Sequence, residues 1–244
     1  MINQNVLISH SNPKSPISEA FRVLRTNIQF LSFDKKLKTI LITSSGMGEG
    51  KTTVISNLAI TMAQTGSKVL LIDGDLRKPK IHQLFSFSNS KGLTNLLISR
   101  HGYDKDFIQN SGIDNLDILV SGPIPPNPSE LLGSSVMKDF LLGLKDYYDI
   151  ILIDTPPVGT VTDAAVLSTI TDGVILLISS GNIQIKAAQR AKELLLKVNA
   201  NIIGVALNNI NTHDEDGYYY SYYYSDENSK NKKKKSKKTQ KQEK

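Results

Sequence analysis

Residues 44–53 read SSGMGEGKTT and follow directly on a run of apolar and β-branched residues at 39–43. A strand that leads into a glycine-rich turn ending in Gly-Lys-Thr is the signature of a phosphate-binding loop. Glycine adopts backbone angles closed to other residues, so successive N–H groups can point into one concavity. The segment therefore predicts a nucleoside triphosphate site, and its binding residues are Gly46, Met47, Gly48, Glu49, Gly50, Lys51, Thr52 and Thr53.

Two side chains of this loop carry its chemistry. Lys51 supplies a positive charge for the β- and γ-phosphates, and the Thr52 hydroxyl is placed to ligate Mg²⁺. Apolar residues at helical spacing predict a helix that starts near Gly50 and directs its positive end at the same site. The apolar residues that show this helical spacing are Ile55, Leu58, Ala59 and Met62. Ser45 stands where the strict G-x-x-x-x-G-K-[ST] pattern has its first glycine. A chance glycine-rich turn is the alternative, and the flanking strand and helix argue against it.

Two carboxylates end other apolar runs, at 70–73 and 150–154. The carboxyl ends of parallel strands share one edge of a sheet, so Asp73 and Asp154 are expected beside the phosphate loop. Asp154 matches the usual second nucleotide-binding motif, in which the acid holds metal-bound water. Both are predicted metal-site residues together with Thr52. The alternative is that each acid only ends its strand in a turn.

Asp75 and Arg77 lie just beyond the end of the predicted strand that ends at Asp73. A phenol or water that attacks a γ-phosphate needs orientation and somewhere to place its proton. Asp75, outside the expected metal shell, is predicted to serve as this base or positioning group. Arg77 either stabilises the transferred charge or pairs with a carboxylate, and the sequence leaves both open.

Short apolar runs alternate with segments of helical spacing along the chain. This pattern predicts an α/β fold with a doubly wound, mainly parallel sheet and helices on both faces. An extra helix is expected at about 15–32, with Ser15 as its cap, Pro16 in its first position and one apolar face formed by Phe21, Leu24, Ile28 and Leu31. The predicted strands are 38–43, 68–73, 116–120, 149–154, 173–179 and 202–208.

The charge and composition divide the 244 residues into a domain at 1–212 and a tail at 213–244. The net charge of +6 resides in residues 226–244, which hold nine Lys and three acids, so the 20 basic and 20 acidic residues before them balance. No basic face for nucleic acid is therefore expected. The lysine-rich end is disordered by composition, and either solubilises the chain or is attracted to anionic lipid or an acidic partner. The absence of cysteine and of a visible signal peptide fits the cytoplasm.

Between these parts lies the segment YYYSYYY, flanked by acids and lysines. Together with the phosphate loop and the D-x-D-x-R segment at 73–77, it resembles the bacterial tyrosine kinases of capsule and exopolysaccharide operons. These have a P-loop ATPase fold, and the likeness extends from about residue 15 to residue 224. The resemblance implies ATP and Mg²⁺ as cofactors, with Lys51, Asp73, Asp75 and Asp154 as catalytic residues. Asn208, at the end of the last strand, is a candidate for adenine recognition.

The resemblance also implies partners. It is closest to the form in which a separate cytoplasmic kinase is activated at the inner face of the cell membrane by an adaptor, a polysaccharide co-polymerase. Glu19, Arg22 and Arg25 match the family's E-x-x-R-x-x-R motif for subunit contacts in a ring-forming homo-oligomer. Protein tyrosine substrates and a cognate phosphatase are further expected partners. Met47 stands where the family often has proline, and no loss of binding is expected from it.

The predicted phosphoacceptors are Tyr218, Tyr219, Tyr220, Tyr222, Tyr223 and Tyr224. Ten residues separate Tyr218 from the end of the last predicted strand, and when extended they span about 35 Å, enough to reach the chain's own site or a neighbour's. The alternative is an aromatic strand or adhesive patch. Two other functions remain open: a partitioning or division-site ATPase of the same fold, which would carry an extra lysine where this chain has Gly46, and a non-catalytic nucleotide-sensing regulator.

Overall fold

The computed structural model describes residues 6–32, 36–100 and 104–210. The six candidate phosphoacceptor tyrosines and the lysine-rich end lie outside the described residues, so the division into 1–212 and 213–244 stays a prediction. The strands are β1 Thr39–Ser44, β2 Val69–Asp73, β3 Gln109–Ile113, β4 Leu116–Leu119, β5 Ile150–Asp154, β6 Gly173–Ser179 and β7 Ile202–Asn208. The helices are α1 Ile8–Ser11, α2 Pro16–Leu31, α3 Lys51–Ala63, α4 Ile81–Leu84, α5 Leu93–Ser99, α6 Pro128–Leu132, α7 Ser135–Leu144, α8 Asp163–Ser168 and α9 Ile185–Lys197, with a 3₁₀ turn at Lys105–Phe107.

The seven strands form one sheet in the order β3-β4-β2-β5-β1-β6-β7. Every neighbouring pair is parallel except β3 and β4, which are antiparallel. The fold class predicted from the sequence is confirmed, and all six predicted strands are present with ends within one residue. The seventh strand, β3, was missed because its sequence, QNSGI, is mostly polar and it lies at the edge of the sheet.

Apolar residues cover both faces of the sheet, because successive side chains of a buried strand point to opposite sides. In β1, Leu41 belongs to one buried cluster, whereas Ile40 and Ile42 belong to the other. Helix α3, which begins at the phosphate loop, is buried almost along its whole length. The loop is therefore attached to the most enclosed helix of the domain.

Helix α2 begins as expected, since the Ser15 side chain accepts a hydrogen bond from the Ser18 N–H and Pro16 occupies the first position. Ile28 is buried, and Phe21 and Leu24 pack on the same cluster. Leu31 differs from the prediction, since it is 49% exposed. At 100° per residue it lies about 80° around the helix from Phe21, at the margin of the apolar face.

Within the ranges that the structure describes, no helix has the length and apolar character needed to cross a bilayer.

Candidate functional site

The phosphate loop is held in shape by two glycines with positive φ. Gly48 has φ 78° and Gly50 has φ 93°, values that side chains rarely allow. Gly50 also caps α3, and a Cβ there would collide with the Asn208 amide. At Gly46 a Cβ would meet its nearest neighbours only at 3.7 Å, in ordinary contact. The loop thus requires glycine at 48 and 50, whereas Gly46 leaves room beside the loop.

Glu49 fixes the loop to the sheet, a role that the sequence did not reveal. Its carboxylate is buried at 1% exposure. One oxygen accepts hydrogen bonds from the Ser45 hydroxyl, at 2.8 Å, and from the Gly46 N–H, and the other accepts from the Ser179 N–H at the end of β6, at 2.9 Å. The serine that departs from the strict loop pattern is therefore a partner of Glu49. A buried carboxylate with three donors is a rigid support for a loop.

Asn208 lies behind the loop, at the end of β7. Its side-chain nitrogen donates to the Glu49 carbonyl at 2.8 Å. Adenine recognition by Asn208 stays a prediction, and the observed bond adds a bracing contact to its expected role. The loop is thus joined to both β6 and β7.

Lys51 is the first residue of α3 and is 8% exposed. Its ammonium donates to the Ser44 hydroxyl at 3.2 Å. Burial lowers the pKa of Lys51, and the nearby charges of Asp154, Asp75 and Glu49 oppose that shift. A cation so poorly solvated interacts strongly with an arriving phosphate, because little water screens the charge.

Asp73 and Asp154 lie side by side in the register of β2 and β5, as predicted from the strand ends. One Asp154 oxygen accepts from the Thr52 hydroxyl at 2.6 Å, and one Asp73 oxygen accepts the N–H groups of Lys80 and Ile81 at 3.0 and 2.9 Å. The other oxygen of each carboxylate is buried and has no hydrogen-bond partner among the described residues. Two adjacent orphaned carboxylate oxygens and a threonine hydroxyl fit Mg²⁺, which prefers oxygen ligands and retains water.

The electrostatics of Asp73 and Asp154 also fit a site for a divalent cation. Burial raises the pKa of Asp154 to about 7 and raises the pKa of Asp73 well above its usual range, and the Asp154 charge raises the Asp73 value further. The Thr52 hydrogen bond and the Lys51 charge partly offset the shift of Asp154. Two buried carboxylates that are costly to ionise together would be relieved by a divalent cation.

Asp75 and Arg77 form the turn that follows β2. One Asp75 oxygen accepts the N–H groups of Arg77 and Lys78, at 3.2 and 2.9 Å. Arg77 donates through Nε and a terminal nitrogen to both oxygens of Asp163, at 2.8 and 2.9 Å. Asp163 is fully buried at the start of α8 and also accepts from the Ser129 hydroxyl. Of the two roles considered for Arg77, the structure shows the carboxylate pairing.

The phosphate loop and the turn after β2 line a cleft of about 590 Å³. Apolar side chains beyond the sequence prediction, Pro156, Pro157 and Val161, form part of its wall. The complete lining is Met47, Gly48, Gly50, Lys51, Thr52, Thr53, Asp75, Arg77, Lys78, Lys80, Pro156, Pro157, Thr160 and Val161. The opening is thus large enough for a nucleotide's phosphates and an acceptor side chain.

The E-x-x-R-x-x-R residues contact their own subunit. Glu19 and Arg22 form an ion pair at 2.6 Å, and Arg22 also donates to the Pro13 carbonyl. Arg25 donates to the Thr61 carbonyl of α3 at 2.9 Å. Its Nε is buried and has no hydrogen-bond partner within the described part of the chain. The role of these three residues between subunits stays a prediction.

Comparison with known proteins identifies the family. The model of the AAA domain family matches residues 37–204. Tyrosine-protein kinase YwqD of Bacillus subtilis (strain 168) is 44% identical over 218 residues, which cover 88% of this chain and 92% of that protein. The chain belongs to the bacterial tyrosine kinases. The solved kinase domain of Escherichia coli tyrosine kinase ETK superposes on it with a TM-score of 0.80 at 35% identity, and the match covers 84% of this chain and 80% of that one.

The kinase resembles a division-site ATPase less closely. The septum site-determining protein MinD of Pyrococcus horikoshii OT3, solved with Mg-ADP, gives a TM-score of 0.60 at 26% identity over 72% of each chain. This likeness supports a nucleotide site of the ATPase kind, and the stronger likeness to tyrosine kinases confirms the enzyme class predicted from the sequence. The protein is a tyrosine kinase.

Proposed function

We propose that the kinase transfers the γ-phosphoryl group of ATP to its own C-terminal tyrosine cluster, and that this reaction regulates capsule or exopolysaccharide synthesis and export together with a membrane adaptor. The observation that carries the proposal is the pair of orphaned, buried oxygens on Asp73 and Asp154. They lie at the end of the sheet that also holds Lys51, Thr52 and Asp75. This set matches the needs of phosphoryl transfer, which depends on positioning and charge stabilisation.

In this proposal each side chain has a distinct task. The loop N–H groups and Lys51 bind the phosphates, while Thr52, Asp73 and Asp154 are the residues that would hold Mg²⁺. Mg²⁺, when bound, supplies charge compensation for the phosphate oxygens. Asp75, half-buried in the cleft, orients the tyrosine hydroxyl and accepts its proton. The tyrosine oxygen forms a bond to the γ-phosphorus of ATP. At the same time the bond between the γ-phosphorus and the oxygen that bridges it to the β-phosphate breaks, and ADP leaves with that oxygen.

The acceptors in this proposal are Tyr218, Tyr219, Tyr220, Tyr222, Tyr223 and Tyr224. Unphosphorylated subunits form a ring through Glu19, Arg22 and Arg25, and each tail reaches a neighbour's cleft. Residues 214–244 hold nine Lys and six acids, a balance of +3. Six phosphotyrosines add roughly −9 to −12 at neutral pH, so phosphorylation makes the tail strongly acidic and dissociates the ring.

The proposal also includes partners that activate the kinase and reverse the phosphorylation. A membrane adaptor of the polysaccharide co-polymerase type recruits the kinase to the inner face of the cell membrane and activates it. A phosphatase removes the phosphates and permits reassembly, and other protein tyrosines are further substrates. The relatives support the kinase activity at the centre of this proposal, since the chain matches a tyrosine-protein kinase over most of its length.

The decisive experiment incubates the purified chain with ATP and Mg²⁺ and maps phosphotyrosine by mass spectrometry, with and without a membrane adaptor. Phosphate on the six tail tyrosines is expected, and a variant with all six changed to Phe removes it. Phosphate mainly on Tyr147 would contradict the acceptor assignment. ATP hydrolysis stimulated by DNA or lipid would indicate a positioning ATPase, and tight binding without turnover would indicate a sensor. Light scattering of both phosphorylation states tests the ring.

A further inference from the structure

Two exposed lysines, Lys78 and Lys80, line the cleft together with Asp75. The turn that positions the carboxylates also presents these lysines. The Lys78 N–H binds Asp75, and the Lys80 N–H binds Asp73. Their backbones are therefore fixed relative to the catalytic groups, while both residues remain exposed. We call these two residues the lysine rim.

The lysine rim adds positive charge to the lining of the cleft, and the charge of Lys80 also acts on the buried groups Asp154 and Lys51. The residues that line the cleft include four cations, Lys51, Arg77, Lys78 and Lys80, and a single carboxylate, Asp75. Lys51 is buried beneath the loop, and both oxygens of Asp163 neutralise Arg77. Neither rim lysine forms an ion pair with any other residue that the structure describes. The rim is thus available to attract negative charge on an arriving partner.

The sequence of the proposed acceptor segment is complementary to this charge. Residues 214–216 read DED and residues 226–227 read DE, so five acids enclose the six tyrosines. Ordinary chain geometry places an acid two to five residues from a tyrosine at about 7–17 Å from it. A tyrosine in the cleft therefore brings flanking carboxylates to the entrance.

We propose that the lysine rim binds acidic residues flanking the acceptor, so that the kinase selects tyrosines in an acidic context. This inference rests on the proposed function, in which the tail is the acceptor. Lysine suits the task, because a flexible ammonium acts as a point charge and does not demand the fixed geometry that arginine imposes. Such a rim tolerates shifts in register, which a segment with several successive acceptors requires. Complementary charge of this kind contributes to selectivity and to the rate of encounter.

The test uses peptides as acceptors and the full chain with its six tail tyrosines changed to Phe as the enzyme. One peptide carries residues 212–229, and a matched peptide has its five acids replaced by Asn or Gln. At saturating ATP, the neutral peptide is expected to show a KM about tenfold higher, with kcat changed by less than about twofold. Raising the salt should narrow the gap, because screening shortens the range of exposed charges to about 8 Å at physiological salt.

The enzyme variant K78Q/K80Q, tested with both peptides, completes a double-mutant cycle between the lysine rim and the acidic residues of the peptide. It should raise KM for the acidic peptide and leave the neutral peptide nearly unaffected, which removes the difference between them. The matched control is K186Q/K192Q, which deletes two exposed lysines of α9 that do not line the cleft. The KM for ATP is measured for every variant, because an equal rise with both peptides together with a higher ATP KM would assign the rim to nucleotide binding and overturn the inference.

The outcomes separate the two proposals. Equal KM values for the two peptides, or a difference that persists in K78Q/K80Q, would overturn the inference and leave tail phosphorylation standing. If neither peptide is phosphorylated while another tyrosine protein is, the proposed acceptor itself is wrong and the inference falls with it.

Discussion

The two sides of the cleft are built differently. On the nucleotide side, Glu49 and Lys51 are buried, and short hydrogen bonds to β6 and β7 fix the loop. On the other side, which carries Asp75 and which the proposed function assigns to the acceptor, Lys78 and Lys80 are exposed and Asp75 is half-buried. We call this the acceptor side. A phosphate group has one shape, which a preformed loop can match, whereas acceptor tyrosines arrive in varied sequences. In the proposed function, a loop held by hydrogen bonds binds the nucleotide, and the charge of the lysine rim guides the acceptor.

The largest effect is expected on the nucleotide side from Lys51→Ala. In the proposed function this ammonium is the main charge compensation for the transferring phosphoryl group, so its removal should lower phosphotyrosine formation at least about 100-fold. The fold should persist, since the lost side chain is a desolvated cation whose pKa burial already lowers. Anti-phosphotyrosine detection measures the loss, and circular dichroism checks the fold. Wild-type phosphorylation would refute the assigned site.

A smaller effect should follow from Glu49→Gln. All three partners of this carboxylate are donors, and two are backbone N–H groups, one on each oxygen. Either orientation of the Gln amide sets an N–H against an N–H, which loosens the loop before the nucleotide arrives. We expect KM for ATP and Kd for ADP to rise together by about tenfold, with a smaller change in kcat, as for lost uniform binding.

Ser45→Ala is the matched control for Glu49→Gln. It removes one of the three hydrogen bonds and creates no opposed donors, so the change in both constants should stay below about threefold. A Glu49→Gln protein that has normal nucleotide affinity but a lower Tm would show that Glu49 supports the fold in general and that the loop needs no such brace.

On the acceptor side, Arg77→Lys should have a milder effect. A lysine keeps the charge beside Asp163 but cannot bind both of its oxygens, so the turn that carries Asp75 is anchored less firmly. We expect kcat/KM for a tyrosine peptide to fall several-fold while KM for ATP changes by less than about twofold. Ser129→Ala serves as the comparison, because it removes the hydroxyl that binds both Asp163 and Arg77 and leaves the Arg77–Asp163 pair in place. A larger loss in ATP binding than in peptide phosphorylation would break the distinction between the two sides.

An effect of another kind concerns the stability of the metal-free chain and its dependence on pH. The folded-state pKa of Asp154 is about 7, against a usual 3.8, so between these values the folded chain binds more protons than the unfolded chain. Stability should therefore fall as pH rises from about 4 to about 7, and Asp73 contributes with the same sign.

Thermal unfolding of wild type and Asp154→Asn between pH 5 and pH 8 measures this effect. The variant should gain Tm relative to wild type as pH rises, because its side chain cannot ionise. Adding Mg²⁺ and nucleotide at pH 8 should raise the Tm of the wild type more than that of the variant. A constant difference between the two proteins across this range would show that Asp154 does not titrate there.

Local sequence patterns predicted the parts of the site that follow strands. The apolar runs before Ser44, Asp73 and Asp154 marked strand ends, and parallel pairing brings such ends to one edge whatever their distance in sequence. The bracing contacts were not predictable in this way. Asp163 is the first residue of α8, where an acidic residue is common, and nothing in the local sequence indicates that it pairs with Arg77, which is 86 residues away in the chain. Likewise, Glu49 reads as one more loop residue until β6 brings Ser179 beside it.

The internal contact of Arg25 with α3 shows the same limit. Spacing along a helix identifies residues on one side of it, but it does not specify what covers that side. The Thr61 carbonyl that accepts from Arg25 is 36 residues away and becomes its neighbour only when α2 packs on α3. A motif known for contacts between subunits can therefore also serve within one.

The strand order has a consequence for the order of events on the ribosome. The β5 strand lies between β1 and β2, although the chain makes it more than 75 residues after β2 ends. The loop and Asp73 are thus synthesised well before β5, the strand that joins β1 to β2 in the sheet and carries Asp154. Because such non-local pairing is slow, competence to bind nucleotide arrives late in synthesis. The tyrosine-rich segment follows β7, so the proposed substrate is synthesised after every strand of the sheet that carries the site.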